Sequence, residues 1–191
     1  MKNTILAAIL VLSAVGASAA PLVSNGDFET GTFAGWTLSG DLDNSAIAKN
    51  NVTSNTTYLW RSGAAFEETY ISQVLTTVAN ARYTLSFDVF TDSTFGSSFS
   101  ASFNGVVVSS FVNEVHNWTH YSIMNLVADD TTTELKFGAR NDPRFTRVDN
   151  ISVVQNVAAV PEPASVLLLS GAFAALAMTR RRKAGKATKA A

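Results

Sequence analysis

From Arg82 to Phe90 the chain alternates without a break. Tyr83, Leu85, Phe87 and Val89 are apolar, while Thr84, Ser86 and Asp88 are polar. A period of two puts one set over a core and the other in water, which is the pattern of a half-buried strand. Ser97 to Phe103 and Val106 to Phe111 are two more such runs, joined by Asn104-Gly105. Asn-Gly tolerates the positive φ of a tight hairpin turn, so these two runs are expected to pair. Glu134 to Arg140 and Arg147 to Val154 alternate again. Weaker runs lie at Trp36 to Ser39, Asp43 to Ala48, Thr57 to Arg61, Tyr70 to Val78 and Asn117 to Leu126. No long 3.6-residue apolar period interrupts them. About ten closely spaced strands predict two packed antiparallel sheets, an all-β jelly-roll β-sandwich over residues 20–156. The Cys–Trp–Cys pattern of immunoglobulin-type sandwiches is absent. The chain has no cysteine at all, so its core must hold it without disulfides.

The two ends follow other rules. Lys2, the apolar stretch Ile5 to Val15 and Ala17-Ser18-Ala19 have the charged, apolar and small-residue parts of a secretory signal peptide. Residues 1–19 are therefore expected to be removed, leaving Ala20 first. At the other end, Val160-Pro161-Glu162-Pro163 closes a proline-stiffened linker over residues 157–163. Ser165 to Thr179 carries no charge, and Arg180-Arg181-Arg182-Lys183 follows at once. Fifteen helical residues reach ~23 Å against a hydrocarbon core of ~30 Å, so a span over 164–179 is short and relies on its flanks. The cations oppose translocation, which keeps residues 180–191 cytoplasmic and the bulk of the chain outside.

Pro-Glu-Pro, a short apolar span and an arginine stop, in that order, resemble the sorting signal of PEP-CTERM proteins. The resemblance implies a membrane protease of the exosortase type as partner. It also implies a transient anchor on the periplasmic side of the inner membrane, then release to the cell surface or an extracellular polysaccharide matrix. Asn25-Gly26-Asp27-Phe28-Glu29, with Gly35-Trp36, resembles the opening of carbohydrate-binding modules with the galactose-binding-like jelly roll. Ile71-Ser72-Gln73, Tyr83-Thr84-Leu85-Ser86-Phe87, Phe137-Gly138-Ala139-Arg140-Asn141-Asp142-Pro143 and Val148-Asp149-Asn150-Ile151-Ser152-Val153 continue it in order. Such modules often hold a structural Ca²⁺, with ligands from the Glu of the opening and the Asp of the closing strand. Those positions are Glu29 and Asp149 here, with Asp27 as a third. Asn150 stands where a second Asp is common. An extended Asn25–Glu29 segment would put Asn25, Asp27 and Glu29 on one face, and carboxylates suit the oxygen preference of calcium. The alternative is that Glu29 and Asp149 pair with Arg147, Arg144 or backbone amides.

Charge narrows the partners. Seven of the 14 basic residues lie in the two terminal segments, and of the 15 acidic residues only Glu162 does, so residues 20–156 carry about −7. Such a surface disfavours nucleic acid and anionic polysaccharide and suits a neutral sugar or a divalent cation. Tyr58, Trp60 and Arg61 are the expected sugar contacts, with Trp118 and His120 as further candidates, and Trp36 reads as a core anchor. Catalysis finds little support. Glu67 and Glu68 are adjacent and point apart on a strand, whereas a glycosidase needs two carboxyls across a cleft. His116 and His120 have metalloprotease spacing, but Asn117 replaces the general-base Glu and the segment is not helical. The expected function is non-catalytic carbohydrate binding at the cell surface. A small polysaccharide hydrolase and a ligand-free structural protein are the alternatives.

Overall fold

The computed structural model describes residues 20–50 and 57–156. The described residues form ten strands: β1 Thr37–Gly40, β2 Ala46–Lys49, β3 Tyr58–Ser62, β4 Thr69–Thr76, β5 Arg82–Thr91, β6 Ser97–Phe103, β7 Val106–Val112, β8 His116–Val127, β9 Thr132–Asn141 and β10 Thr146–Gln155. They form two five-stranded sheets, β1-β4-β9-β6-β7 and β2-β3-β10-β5-β8. All pairings are antiparallel. The expected jelly-roll sandwich is what the chain forms. Each strand lies within a few residues of its alternating run.

Alternation decides what fills the space between the sheets. Tyr83, Leu85, Phe87 and Val89 of β5 face Phe99, Ala101 and Phe103 of β6 and Leu135, Phe137 and Ala139 of β9, all buried. Phe87 sits at the centre. Its ring lies edge-on to Phe137 at 5.2 Å and stacks on Tyr121 at 5.2 Å, the geometries aromatic quadrupoles favour. Trp36 closes one side against Phe28 and Phe137 and donates its indole N–H to the Asn25 carbonyl at 3.0 Å. The described core lies within residues 20–156 and gives them the makings of an independently folding unit.

Asn104-Gly105 turns β6 into β7 with φ of 55° and 73°, as the hairpin signal requires. The signal-peptide segment, the Pro-Glu-Pro linker, the apolar span and the arginine stop lie outside the described residues. Among the described residues no helix is long and apolar enough to cross a membrane.

Candidate functional site

The opening motif is a knot, not the extended segment expected from its spacing. Asn25 and Phe28 take positive φ, 50° and 54°. The Asn25 side chain ties the loop by donating to the Thr32 and Ala34 carbonyls and accepting from the Thr30 amide and hydroxyl. Phe28 drops into the core. Asp27 accepts from the Glu29 amide at 3.3 Å, and Glu29 reaches across to accept the Tyr58 amide at 2.8 Å. Strand alternation does not hold here because the left-handed turns at Asn25 and Phe28 reset which way each side chain points.

Even so, Asp27, Glu29 and Asp149 arrive in one place. A pocket of about 340 Å³ is lined by Asp27, Glu29, Asn50, Thr57, Asp88, Trp118, Asp149 and Asn150. Asp88, which the sequence did not single out, stands directly across the β5–β10 ladder from Asp149. Like charges opposite each other are unfavourable, and Asp149 is only 6% exposed. Burial first, then the charges of Asp88, Glu29 and Asp27, push the Asp149 carboxyl up to about 7, against the opposing pull of the Asn150 amide. Asp88 is engaged from two sides, by His120 Nδ1 at 2.6 Å and by the Asn150 amide group at 2.7 Å. Neither Glu29 nor Asp149 pairs with Arg144 or Arg147 in these contacts; backbone amides serve both. Trp118 forms one wall, with its ring 5.7 Å from Phe90. Its Nε1 is shielded from solvent without a hydrogen-bond partner among the described residues.

Does this pocket suit a hard cation? Its side-chain oxygens are mostly those of carboxylates, and burial together with the neighbouring carboxylates raises the Asp149 carboxyl to about 7, an environment that suits a hard cation such as Ca²⁺. Among the described residues, however, no three Asp, Glu, His or Cys side chains already stand in ligating geometry. Carbonyl oxygens would have to complete the shell.

The expected sugar contacts do not form one patch. Trp60 is fully buried, and its indole N–H is used by Ser45 Oγ at 3.0 Å, so it has no face for a sugar ring. Its neighbour Arg61 points the other way and lies over Phe145 at 4.6 Å, opposite Arg147 on β10. Burial holds the Arg147 guanidinium below its usual range, with Arg61 adding to that and Asp92 opposing it. Tyr58 is half-buried beside Gly31 and the acidic pocket. One residue of slip along β3 separates a core Trp from a surface Arg. The two histidines, although four apart on β8, serve different partners: His116 faces Glu114 and Tyr121, and His120 faces Asp88.

A second feature lies on the outer face of β1-β4-β9-β6-β7. The middle of this face is floored by Ser98, Ser100 and Ser102 of β6 and Gly138 of β9. Glu68 lies over it, accepting from Ser98 at 2.7 Å and Ser100 at 3.2 Å. Gly138 makes room for it: a Cβ there would stand 2.3 Å from Glu68 Oε2 and 2.7 Å from the Tyr70 ring. Tyr70 is braced by Lys136, whose ammonium is 4.2 Å from the ring centre. Burial, then the Glu68 carboxylate, raises the Tyr70 phenol above its ordinary pKa. A depression of about 290 Å³ runs on past Tyr70, Ser100, Ser102, Val107, Glu134 and Lys136. Phe66 and Phe95 are 88% and 80% exposed. Their loops lead into β4 and β6, whose first residues flank β9 at Ala139 and Asn141. Phe66 is also tied to this end through its carbonyl, which accepts from Arg140. Nothing in the local pattern marked these two rings as surface aromatics; an isolated Phe in a loop gives no period to read.

Residues 159–183 match the family described as the PEP-CTERM protein-sorting motif. No curated protein matches the chain by sequence. Solved structures that share the fold of the domain include the following three. A module named TmCBM61, solved with β-1,4-galactotriose, has a TM-score of 0.60 at 17% identity, covering 72% of this chain and all of that one. A CBM22-1 xylan-binding domain from Paenibacillus barcinonensis Xyn10C has a TM-score of 0.51 at 16% identity, over 76% of this chain and all of that one. A protein from Bacteroides thetaiotaomicron, described as a putative sugar-binding protein, has a TM-score of 0.54 at 10% identity, over 72% of this chain and all of that one. The chain thus carries a PEP-CTERM protein-sorting motif behind a domain with the jelly-roll fold of these carbohydrate-binding modules.

Proposed function

We propose that this chain is an exported, non-catalytic carbohydrate-binding protein of the cell surface or exopolysaccharide matrix, delivered by its sorting tail. Its ligand is a neutral glycan lying across the outer face of β1-β4-β9-β6-β7. The observation that carries this reading is the Glu68–Tyr70–Lys136 group over the Gly138 gap. It offers a ring face, a carboxylate acceptor and a cationic donor within one shallow trough, with two exposed phenylalanines at its end. Sites for uncharged ligands combine apolar walls with a few fixed polar groups in this way. Two carboxylates, Glu68 and Glu134, against the one ammonium of Lys136 leave the trough mildly anionic, which suits a neutral chain better than a polyanion.

The test is calorimetric titration of residues 20–156 with β-1,4-galactotriose and soluble xylan, the sugars named for the similar modules. Tyr70→Ala and Glu68→Gln are each expected to weaken binding at least about tenfold, or ~1.4 kcal/mol, with the melting temperature nearly unchanged. Unaltered affinity in both variants would move the site elsewhere. A well-folded protein that binds no neutral polysaccharide would leave the structural alternative. Release of reducing ends would point to hydrolysis.

The acidic pocket has a separate role in this reading, as a clasp for a structural Ca²⁺. Glu29 and Asp149 would hold the ion and Asp27 would assist, joining the opening loop to β10. The ion supplies the positive charge that four neighbouring carboxylates lack. Differential scanning calorimetry with millimolar Ca²⁺ and with EDTA tests it: chelation should lower the melting temperature by several degrees. Superimposable melting curves would remove the ion from the account and leave the glycan reading intact.

A further inference from the structure

β7 and β8 are the outermost strands of their two sheets, and the short loop Asn113–Val115 joins them. Both free edges therefore lie on one side of the sandwich. Val106, Val107 and Val112 of β7, Val115 of the loop and Met124 of β8 are each more than half exposed. At the Val106 end an opening of about 310 Å³ is lined by Val106, Val108, Leu126 and Val127, and also by Asp129. Large exposed residues scattered singly are ordinary, but valines at both ends of one edge strand and in the loop after it mark a contact surface. Edge strands are usually guarded by lysine or proline. Here β7 carries no charged residue and no proline, and a ladder irregularity opposite Ala101–Ser102 leaves Ser109–Val112 regular.

Charge says what covers this side. Between Ser93 and Ala128 the only Asp, Glu, Lys or Arg residue is Glu114, in a domain of about −7 overall. Two copies repel across most of their surfaces. Along β7 they meet without setting a charge opposite its like. Among the described residues, each copy also presents an unpaired strand edge to match the other, which a two-fold contact between identical surfaces requires. We propose that the β7 edge, with the valines around it, is a homotypic interface through which two copies of this chain pair strand to strand. This inference does not depend on the glycan reading.

Sedimentation velocity of residues 20–156 tests it, up to about 100 µM and at two salt concentrations. The expected result is a monomer–dimer equilibrium that tightens from low to physiological ionic strength, because salt screens the repulsion between two anionic bodies. Amide hydrogen exchange at Ser109–Val112 should slow as concentration rises. Val106→Lys and Val112→Lys, both at exposed positions, should weaken the dimer more than tenfold without changing the melting temperature. A monomer at every concentration overturns the proposal. So does a dimer that survives both lysines, or a monomer that binds lipid vesicles through this side.

Discussion

Gly26→Ala is expected to prevent the domain from folding. A Cβ at this position would stand 1.9 Å from the Ile151 carbonyl oxygen and 3.0 Å from its carbon. Both are backbone atoms, so no rotamer change relieves the clash. They belong to the stretch of β10 where the ladder to β5 shifts register, between Asp149 and Ser152. The Gly26 carbonyl accepts the Ile151 amide at 2.8 Å, so the same contact that the methyl group would break is one that ties the opening loop to the last strand. Phe28, two residues on, can reach its buried place only if the loop keeps this path. A clash of this kind and a lost hydrogen bond together exceed ~4 kcal/mol, at the far end of what single substitutions cost. Domains of this size hold only about 5–15 kcal/mol. Circular dichroism and thermal melting of residues 20–156 give the readout: little or no cooperative transition in the variant. A melting temperature within a few degrees of the parent would mean that the loop and β10 do not touch as described.

That glycine was visible in the sequence as part of a motif, but its reason was not. Asn25-Gly26-Asp27-Phe28-Glu29 reads as a turn-rich opening; that Gly26 presses on Ile151, more than a hundred positions later, is a tertiary fact. The strands were legible because period-2 alternation is local, and Tyr83 to Val89 needed no partner to be read. Trp60 shows the limit. Tyr58, Trp60 and Arg61 look like a cluster along the chain, yet on a strand adjacent residues face opposite sides, and the core took the indole. Asp88 shows the other limit. It reads as one more wetted position of β5, and only the β5–β10 register sets it against Asp149. Glu68 likewise gains its place from Gly138 and two serines on strands that the sequence does not order. Residue types and periods were enough for the sandwich. The sites are made where distant strands cross, and local pattern holds no record of that.

Asp149 leads to a second large effect, in the pH dependence of stability. Its carboxyl is raised from 3.8 in the unfolded chain to about 7 in the folded domain, so the folded state holds the proton more tightly. The contribution is fully present below the unfolded value and is lost as pH rises through the folded one. In EDTA, the parent domain should therefore lose stability between about pH 4 and pH 7, by at most ~4 kcal/mol for a shift of this size. Asp149→Asn removes the titrating group but keeps an oxygen for the Asn150 amide, so its curve should be flat over the same range. The variant should then exceed the parent in stability at pH 8, an unusual sign for replacing a buried polar residue. Calcium should act in the opposite sense on the parent. The ion binds the ionised carboxylate, so its stabilisation grows with pH and offsets the loss, while the Asn variant responds weakly. Urea unfolding at pH 5, 6, 7 and 8, for both proteins and with and without Ca²⁺, separates the outcomes. Parallel pH slopes for the two proteins in EDTA would show that another group carries the titration. A parent curve that does not fall would mean that water reaches Asp149 and the pocket does not concentrate charge. A calcium response equal in both proteins would leave the pH argument standing and place the ion elsewhere.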